Sequence, residues 1–272
     1  MARVVANSIP KSGTHLLDRL LVLLGFEMIE GGIRPHLVSG RYGPVRRLLR
    51  GRGEKVTIGV VSPQQVSRRW LARRLSGIPE GGFINAHCLH SPELADLFRR
   101  EGMKIVCILR DPRDVAVSQM HHIKQRKQHF AHEGYMALPS DRERLMVSIR
   151  GGELGGRELQ SLERRYRQFL DWERDGGAVM VRFEDLVGPE GGGSEEAQRL
   201  AVGRVAGHLG VPVEERTIDL VGKNLFGAGR TFRRGQIGGW REEFSAEHER
   251  ALEETAGPLL VELGYQEAGH DR

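Results

Sequence analysis

Pro10-Lys11-Ser12-Gly13-Thr14-His15, close to the N-terminus, and Arg110-Asp111-Pro112-Arg113-Asp114-Val115-Ala116-Val117-Ser118, about a hundred residues further on, decide how this chain reads. Each follows an apolar, β-branched run and precedes a helical pattern. Strand, loop and helix in that order aim backbone N–H groups and a helix N-terminus at an anion. In the first stretch Gly13 lets the backbone approach a ligand closely, Ser12 and Thr14 supply hydroxyls, and Lys11 supplies a cation. The spacing is shorter than the GxxxxGK[ST] run of an ATP-type phosphate loop. In the second, Arg110 leaves its strand directly and can fork onto a phosphate, while Ser118 offers a hydroxyl about two turns into the helix. Each stretch also has a plainer reading. The first could be an ordinary strand–helix turn with a surface lysine. The second could be an Arg–Asp ion-pair cluster, which suits Arg113 and Asp114 better than Arg110.

Outward from these stretches the chain alternates strands and helices. Arg3–Ile9, Phe83–His87, Lys104–Leu109 and Ala178–Phe183 read as strands. Leu16, Leu17, Leu20, Leu21 and Leu24 form one helical face that Gly25 ends. Ser91-Pro92-Glu93 opens a helix running to about Arg100, with a capping serine, a first-turn proline and an acid suited to the dipole. Asp111-Pro112 opens another. Leu159, Leu162, Tyr166 and Phe169 mark a further amphipathic helix. A Gly-rich loop over 188–193 leads to a helix around Glu195–Leu209, and a last helical pattern over Ala246–Leu263 is interrupted at Gly257-Pro258. This alternation predicts an α/β fold, a central parallel sheet flanked by helices, in one domain over residues 1–265 with a flexible tail over 266–272. The polar, Gly-dotted stretch Lys124–Gly156 reads as a long irregular lid or substrate loop.

Composition narrows the class. The 272 residues carry 41 Lys and Arg against 36 Asp and Glu, a net charge of +5 that leans towards anionic partners. Eleven of those cations and one acid, Glu54, fall between Arg34 and Arg74. That stretch reads either as a solvated face or as a patch meeting an acidic substrate. Cys88 and Cys107 make no disulfide framework, and Cys107 lies in an apolar run as a small core residue. No stretch approaches the roughly 18 apolar residues of a membrane span, and a strand pattern starts too early for a signal peptide. The expectation is a soluble, cytoplasmic protein.

Two anion-binding elements point to a ligand with two anionic ends, such as a nucleotide phosphorylated at both its 3′ and 5′ positions. A third stretch, Phe232-Arg233-Arg234-Gly235-Gln236-Ile237-Gly238-Gly239-Trp240, is a flexible basic loop able to close over phosphate or simply a solvent-exposed connection. Together, in this order, the three resemble the sulfotransferases that use 3′-phosphoadenosine 5′-phosphosulfate (PAPS) and release PAP. Pro10–His15 is similar to that family's 5′-phosphosulfate loop, Arg110–Ser118 to its 3′-phosphate element and Arg233–Trp240 to its C-terminal loop. Val181-Arg182-Phe183-Glu184-Asp185-Leu186 resembles a further landmark. The resemblance implies a sheet related to the P-loop nucleotide kinases. It implies Lys11, Ser12, Gly13, Thr14 and His15 on the 5′-phosphosulfate, and Arg110 and Ser118 on the 3′-phosphate with Arg233, Arg234 and Gly235. It implies His87, in Asn85-Ala86-His87, as the catalytic base, with Lys11 stabilising the leaving 5′-phosphate. The chain departs from the family at three points: Asn85 replaces a lysine, Phe183 a tyrosine, and Gly239 an aspartate.

His87 also ends a strand pattern, where α/β enzymes place reactive groups. His90 is its rival. His121, His122, His129 and His132 match no recognised zinc spacing, so no metal is expected. The rival functions are an ATP-dependent small-molecule kinase and a non-catalytic polyanion binder. Few aromatics accompany the basic residues, which argues against nucleic acid as partner. The acceptor, a small molecule or glycan, is expected to meet the loops over Ile33–Arg74 and His121–Gly156, which name no substrate. Oligomeric state is not written in any motif.

Overall fold

A computed structural model describes residues 1–33, 53–61, 63–226 and 236–267. Arg233, Arg234, Gly235, the greater part of the basic stretch after Ile33, and tail residues 268–272 lie outside the described residues. The strands are β1 (Arg3–Ser8), β2 (Glu27–Met28), β3 (Lys55–Ile58), β4 (Gln64–Ser67), β5 (Gly82–Ala86), β6 (Met103–Leu109), β7 (Gly152–Leu154), β8 (Arg157–Leu159) and β9 (Ala178–Arg182). The helices are α1 (Thr14–Leu23), α2 (Arg68–Ser76), α3 (Pro92–Arg100), α4 (Pro112–Gln125), α5 (His132–Met136), α6 (Asp141–Arg150), α7 (Leu162–Arg174), α8 (Phe183–Leu186), α9 (Glu195–Leu209), α10 (Glu215–Lys223) and α11 (Ala246–Glu262). They fall into two compact units, one of residues 1–110 and 168–237, the other of 111–167 and 238–272.

The first unit holds a five-stranded sheet in the order β2-β5-β1-β6-β9, with every pairing parallel. Val4, Val5 and Ala6 of β1 have no exposed surface, as expected of a central strand covered on both faces. Leu17, Leu20 and Leu21 of α1 pack with Val106, Ile108, Val181 and Phe183 of the sheet region, and with Val202, Val205 and Leu209 of α9. The register aligns the strand ends: Asn7 is level with Ala86 and Cys107, Ser8 with Ile108, and Leu109 with Arg182. Residues immediately beyond those ends, the 10–15 loop, His87, Arg110 and Phe183, therefore emerge along one edge. Open α/β sheets bind ligands at that edge. A separate antiparallel pair, β3 with β4, and then α2 occupy the described part of the basic stretch.

The second unit is helical. Fully buried Arg165 of α7 donates to Gln119 Oε1 of α4 at 2.6 Å and to the Ser148 carbonyl of α6 at 3.1 Å. Residues 124–156 are not the long irregular loop expected from sequence. They carry α5, α6 and the start of a β7–β8 hairpin. Ser140 caps α6 by accepting from the Arg142 N–H at 3.1 Å, and Leu145 and Ile149, one turn apart, form its buried stripe. That stripe is too thin, among charged neighbours, to stand out as a helical period. The break expected at Gly257-Pro258 is present as a kink within α11, where Ala256 leaves the helical conformation (φ -145°, ψ 15°) just before Pro258, which has no N–H to donate.

Candidate active site

The first anion element is built as a strained loop over a helix start. Lys11 has φ 77°, the one positive φ on a non-glycine among the described residues. Such a conformation costs of order 1–3 kcal/mol and persists where surrounding structure enforces it. The enforcement comes from Ser12. Its N–H reaches the Ile9 carbonyl at 3.1 Å, and its buried hydroxyl faces the carbonyls of Ile9 at 2.7 Å and Ile108 at 3.0 Å. Ser12 thus pins the loop to β1 and β6. Gly13 follows at φ 106°, and a Cβ there would lie 2.8 Å from Phe183 Cδ2 and 3.0 Å from Ile108 Cδ1. Helix α1 then starts with no side-chain cap and no acid in its first turn. An uncapped, acid-free helix start is suited to an anionic ligand. Half-buried Lys11 and exposed His15 flank it, with His15 Nδ1 3.7 Å from Asp18 Oδ2.

His87 follows β5, and two groups of Ser8 meet its ring. Nδ1 lies 2.9 Å from the Ser8 carbonyl and 3.1 Å from Ser8 Oγ, which is 2.8 Å from Thr14 Oγ1. A carbonyl oxygen only accepts, so Nδ1 carries the proton and Nε2 is the basic nitrogen. The next residue is clamped. Asn7 Nδ2 donates to the Cys88 carbonyl at 2.9 Å, Asn7 Oδ1 accepts from the Cys88 N–H at 2.9 Å, and Trp172 Nε1 donates to the same carbonyl at 2.9 Å. Burial pushes the Cys88 thiol up to about 12 and the Cys107 thiol up as well, so neither is a nucleophile near neutrality. Asn85, two residues before His87, donates to both carboxylate oxygens of buried Asp18, at 3.1 and 3.0 Å. His90 is placed differently. It lies edge-on to Trp172 with ring centroids 4.9 Å apart, its Nε2 3.6 Å from Asp175.

At the end of β6 the Arg110 guanidinium lies 4.3 Å from the centre of the Phe183 ring and donates to the Gln236 carbonyl at 2.9 Å. The ring whose edge confines Gly13 also carries Arg110 on its face. In the helical unit, Arg113 pairs with Asp111 at 2.7 Å rather than with Asp114. Buried Asp114 accepts from the backbone N–H groups of Gly238 at 3.0 Å and Trp240 at 2.9 Å. The guanidinium groups of Arg113, at 4.3 Å, and Arg241, at 4.7 Å, both lie over the Trp240 ring. Contacts from the second sequence element therefore hold the third at Gln236, Gly238 and Trp240, immediately after Arg233–Gly235. Ser118 is half-buried on α4. Sequence reasoning missed Asn7, Ser8, Asp114 and Trp172. The signal for the first two was present: an Asn-Ser pair closing an otherwise apolar buried strand.

A sulfotransferase domain model matches residues 2–264. The chain belongs to the sulfotransferase family. It is an enzyme of sulfuryl transfer. Mouse sulfotransferase SULT7A1, solved with PAP, is 15% identical over 97% of this chain and 87% of its own, with a TM-score of 0.61. Retinol dehydratase, solved with androsterone and PAP, is 17% identical over 98% of this chain and 82% of its own, with a TM-score of 0.60. The same protein solved with retinol and PAP gives 17%, 99%, 83% and 0.59. At these identities the likeness speaks for the fold. No curated protein matches the sequence. Among the described residues no helix is long and apolar enough to cross a membrane.

Proposed function

We propose that this sulfotransferase moves the sulfuryl group of PAPS onto a hydroxyl or amine of a small-molecule or glycan acceptor in the cytoplasm, with His87 as general base and Lys11 at the leaving phosphate. Family membership gives the reaction and its donor, and the fold relatives that hold PAP support the same ligand. The residues present fit it. The Gly13 position leaves no room for a side chain, α1 begins uncapped, and Arg110 is held on Phe183 at the same edge of the sheet. Lys11, Gly13, Thr14 and His15 would hold the 5′ end, with Ser12 shaping the loop. Arg110, Ser118, Arg233, Arg234 and Gly235 would hold the 3′-phosphate. The bound donor supplies an activated sulfuryl group with a phosphate leaving group.

The observation that carries the reading is the His87 ring set against the Ser8 carbonyl at 2.9 Å, beside the anion loop. With Nδ1 protonated, Nε2 takes the proton of the attacking acceptor. Lys11 stabilises negative charge as it develops on the leaving side, and positioning and electrostatics supply most of the rate, as in phosphoryl transfer. Calorimetry with PAP, AMP and ATP·Mg²⁺ tests the two-anion assignment. PAP binding tighter than AMP by about 30- to 1000-fold, the worth of one buried charge-assisted contact, is expected. Equal affinities for PAP and AMP, or a preference for ATP·Mg²⁺, would overturn it.

A further inference from the structure

We propose that Ser8 is a positioning residue that ties the proton affinity of His87 to occupancy of the anion loop, through the series His87–Ser8–Thr14. This rests on the reading of His87 as base and of the 10–15 loop as an anion site. The direction of every donor in the series follows from one fixed point. The Ser8 carbonyl, 2.9 Å from Nδ1, accepts only, so the Nδ1 proton faces Ser8. Ser8 Oγ, 3.1 Å from the same nitrogen, then accepts from it and turns its own proton to Thr14 Oγ1 at 2.8 Å. Thr14 is thereby left to donate its hydroxyl proton outward, at the first residue of α1. An anion accepting that proton polarises both hydroxyls in one direction and makes Ser8 Oγ a stronger acceptor for Nδ1–H. A better acceptor on one imidazole nitrogen raises the basicity of the other. His87 therefore becomes the stronger base once the loop is filled.

The other titratable or charged groups on the surrounding elements are Arg3 of β1, Lys11 of the loop, His15, Asp18 and Arg19 of α1, Cys88 after β5, Lys104 and Cys107 of β6, and Arg110 after β6. Burial keeps both thiols neutral. Lys11, His15 and Asp18 are unchanged by substitution at Ser8, so the Ser8 variants isolate the hydroxyl series.

The test is ¹⁵N NMR of histidine-labelled protein, titrated with and without saturating PAP, for wild type, Ser8→Ala, Ser8→Thr and Thr14→Val, with PAP affinity measured in parallel. Wild type is expected to carry its proton on Nδ1 and to move its His87 midpoint upward when PAP binds. Ser8→Ala should bind PAP within about threefold of wild type yet lose at least half of that movement, and Ser8→Thr should restore it. Thr14→Val, which leaves Ser8 in place, should lose it as well. A full PAP-induced movement in Ser8→Ala or Thr14→Val would overturn the inference while leaving the function intact, and a wild-type proton on Nε2 would overturn both the inference and the assignment of Nε2 as the base. Absence of PAP binding by wild type would overturn the inference and the function together.

Discussion

Replacing Gly13 by alanine tests the join between the two anion elements. Two costs add. At φ 106° an L-residue leaves the favoured regions, a strain of about 1–3 kcal/mol. The new methyl would lie 2.8 Å from Phe183 Cδ2 and 3.0 Å from Ile108 Cδ1, both buried, and overpacking of that kind costs about 1–3 kcal/mol. The expected loss of stability is therefore about 2–6 kcal/mol. Gly210, the C-cap of α9, has φ 71° and open space around its would-be Cβ, so alanine there should cost only about 1 kcal/mol. The Phe183 ring that must yield at Gly13 also carries Arg110 at 4.3 Å, so Gly13→Ala should weaken PAP binding and Gly210→Ala should not. Urea denaturation and calorimetry read both quantities. Equal destabilisation by the two substitutions, or unaltered PAP affinity in a folded Gly13→Ala protein, would refute the reasoning.

Arg110→Ala should weaken PAP by about 2–4 kcal/mol by calorimetry, through loss of one member of a charge-assisted contact; unchanged affinity would remove Arg110 from the 3′-phosphate site. Lys11→Ala should lower single-turnover rate more than PAP affinity, because its work is done as charge develops on the leaving group. Asp114→Ala strands two backbone donors and should cost about 2–4 kcal/mol in denaturant unfolding. It should also weaken PAP by loosening the chain that follows Arg233–Gly235. Burial holds His129 down at about 4 against its usual 6.5, aided by His132 and Arg126. The folded state thus binds fewer protons than the unfolded one. Stability is unaffected above about 6.5 and falls as pH drops from there to about 4, by about 3 kcal/mol in all. His129→Gln should abolish that fall relative to wild type in denaturant titrations across this range.

The sheet was legible because β1, β5, β6 and β9 are short apolar runs, and after the first three a Gly, Pro or capping residue marks where a helix begins. The strand–loop–helix form at residues 10–15 and at Arg110 was legible because it is local: an apolar run, small residues and a helix start suffice. Asp114 was not legible in its actual role, since its partners lie in the third element and only folding brings Gly238 and Trp240 to it. Nor was α6, whose buried apolar residues reduce to Leu145 and Ile149. The β3–β4 pair was hidden by its cationic surroundings, where charge suggested a surface and gave no period. His87 was found as a strand end, but the tautomer on which its proposed role rests comes from the Ser8 carbonyl, a backbone group that leaves no trace in residue identity.

The most direct measurement is transfer of ³⁵S from labelled PAPS to product, with metabolite extract as acceptor pool, by wild type, His87→Asn and His90→Asn. Labelled product from wild type is expected, with His87→Asn slower by about 10²–10⁴ although it still binds PAP, and His90→Asn active. His90, set against Trp172 and Asp175, has a packing role and should be dispensable for proton transfer. A dead His90→Asn beside an active His87→Asn, with both proteins folded, would contradict the assignment of the base.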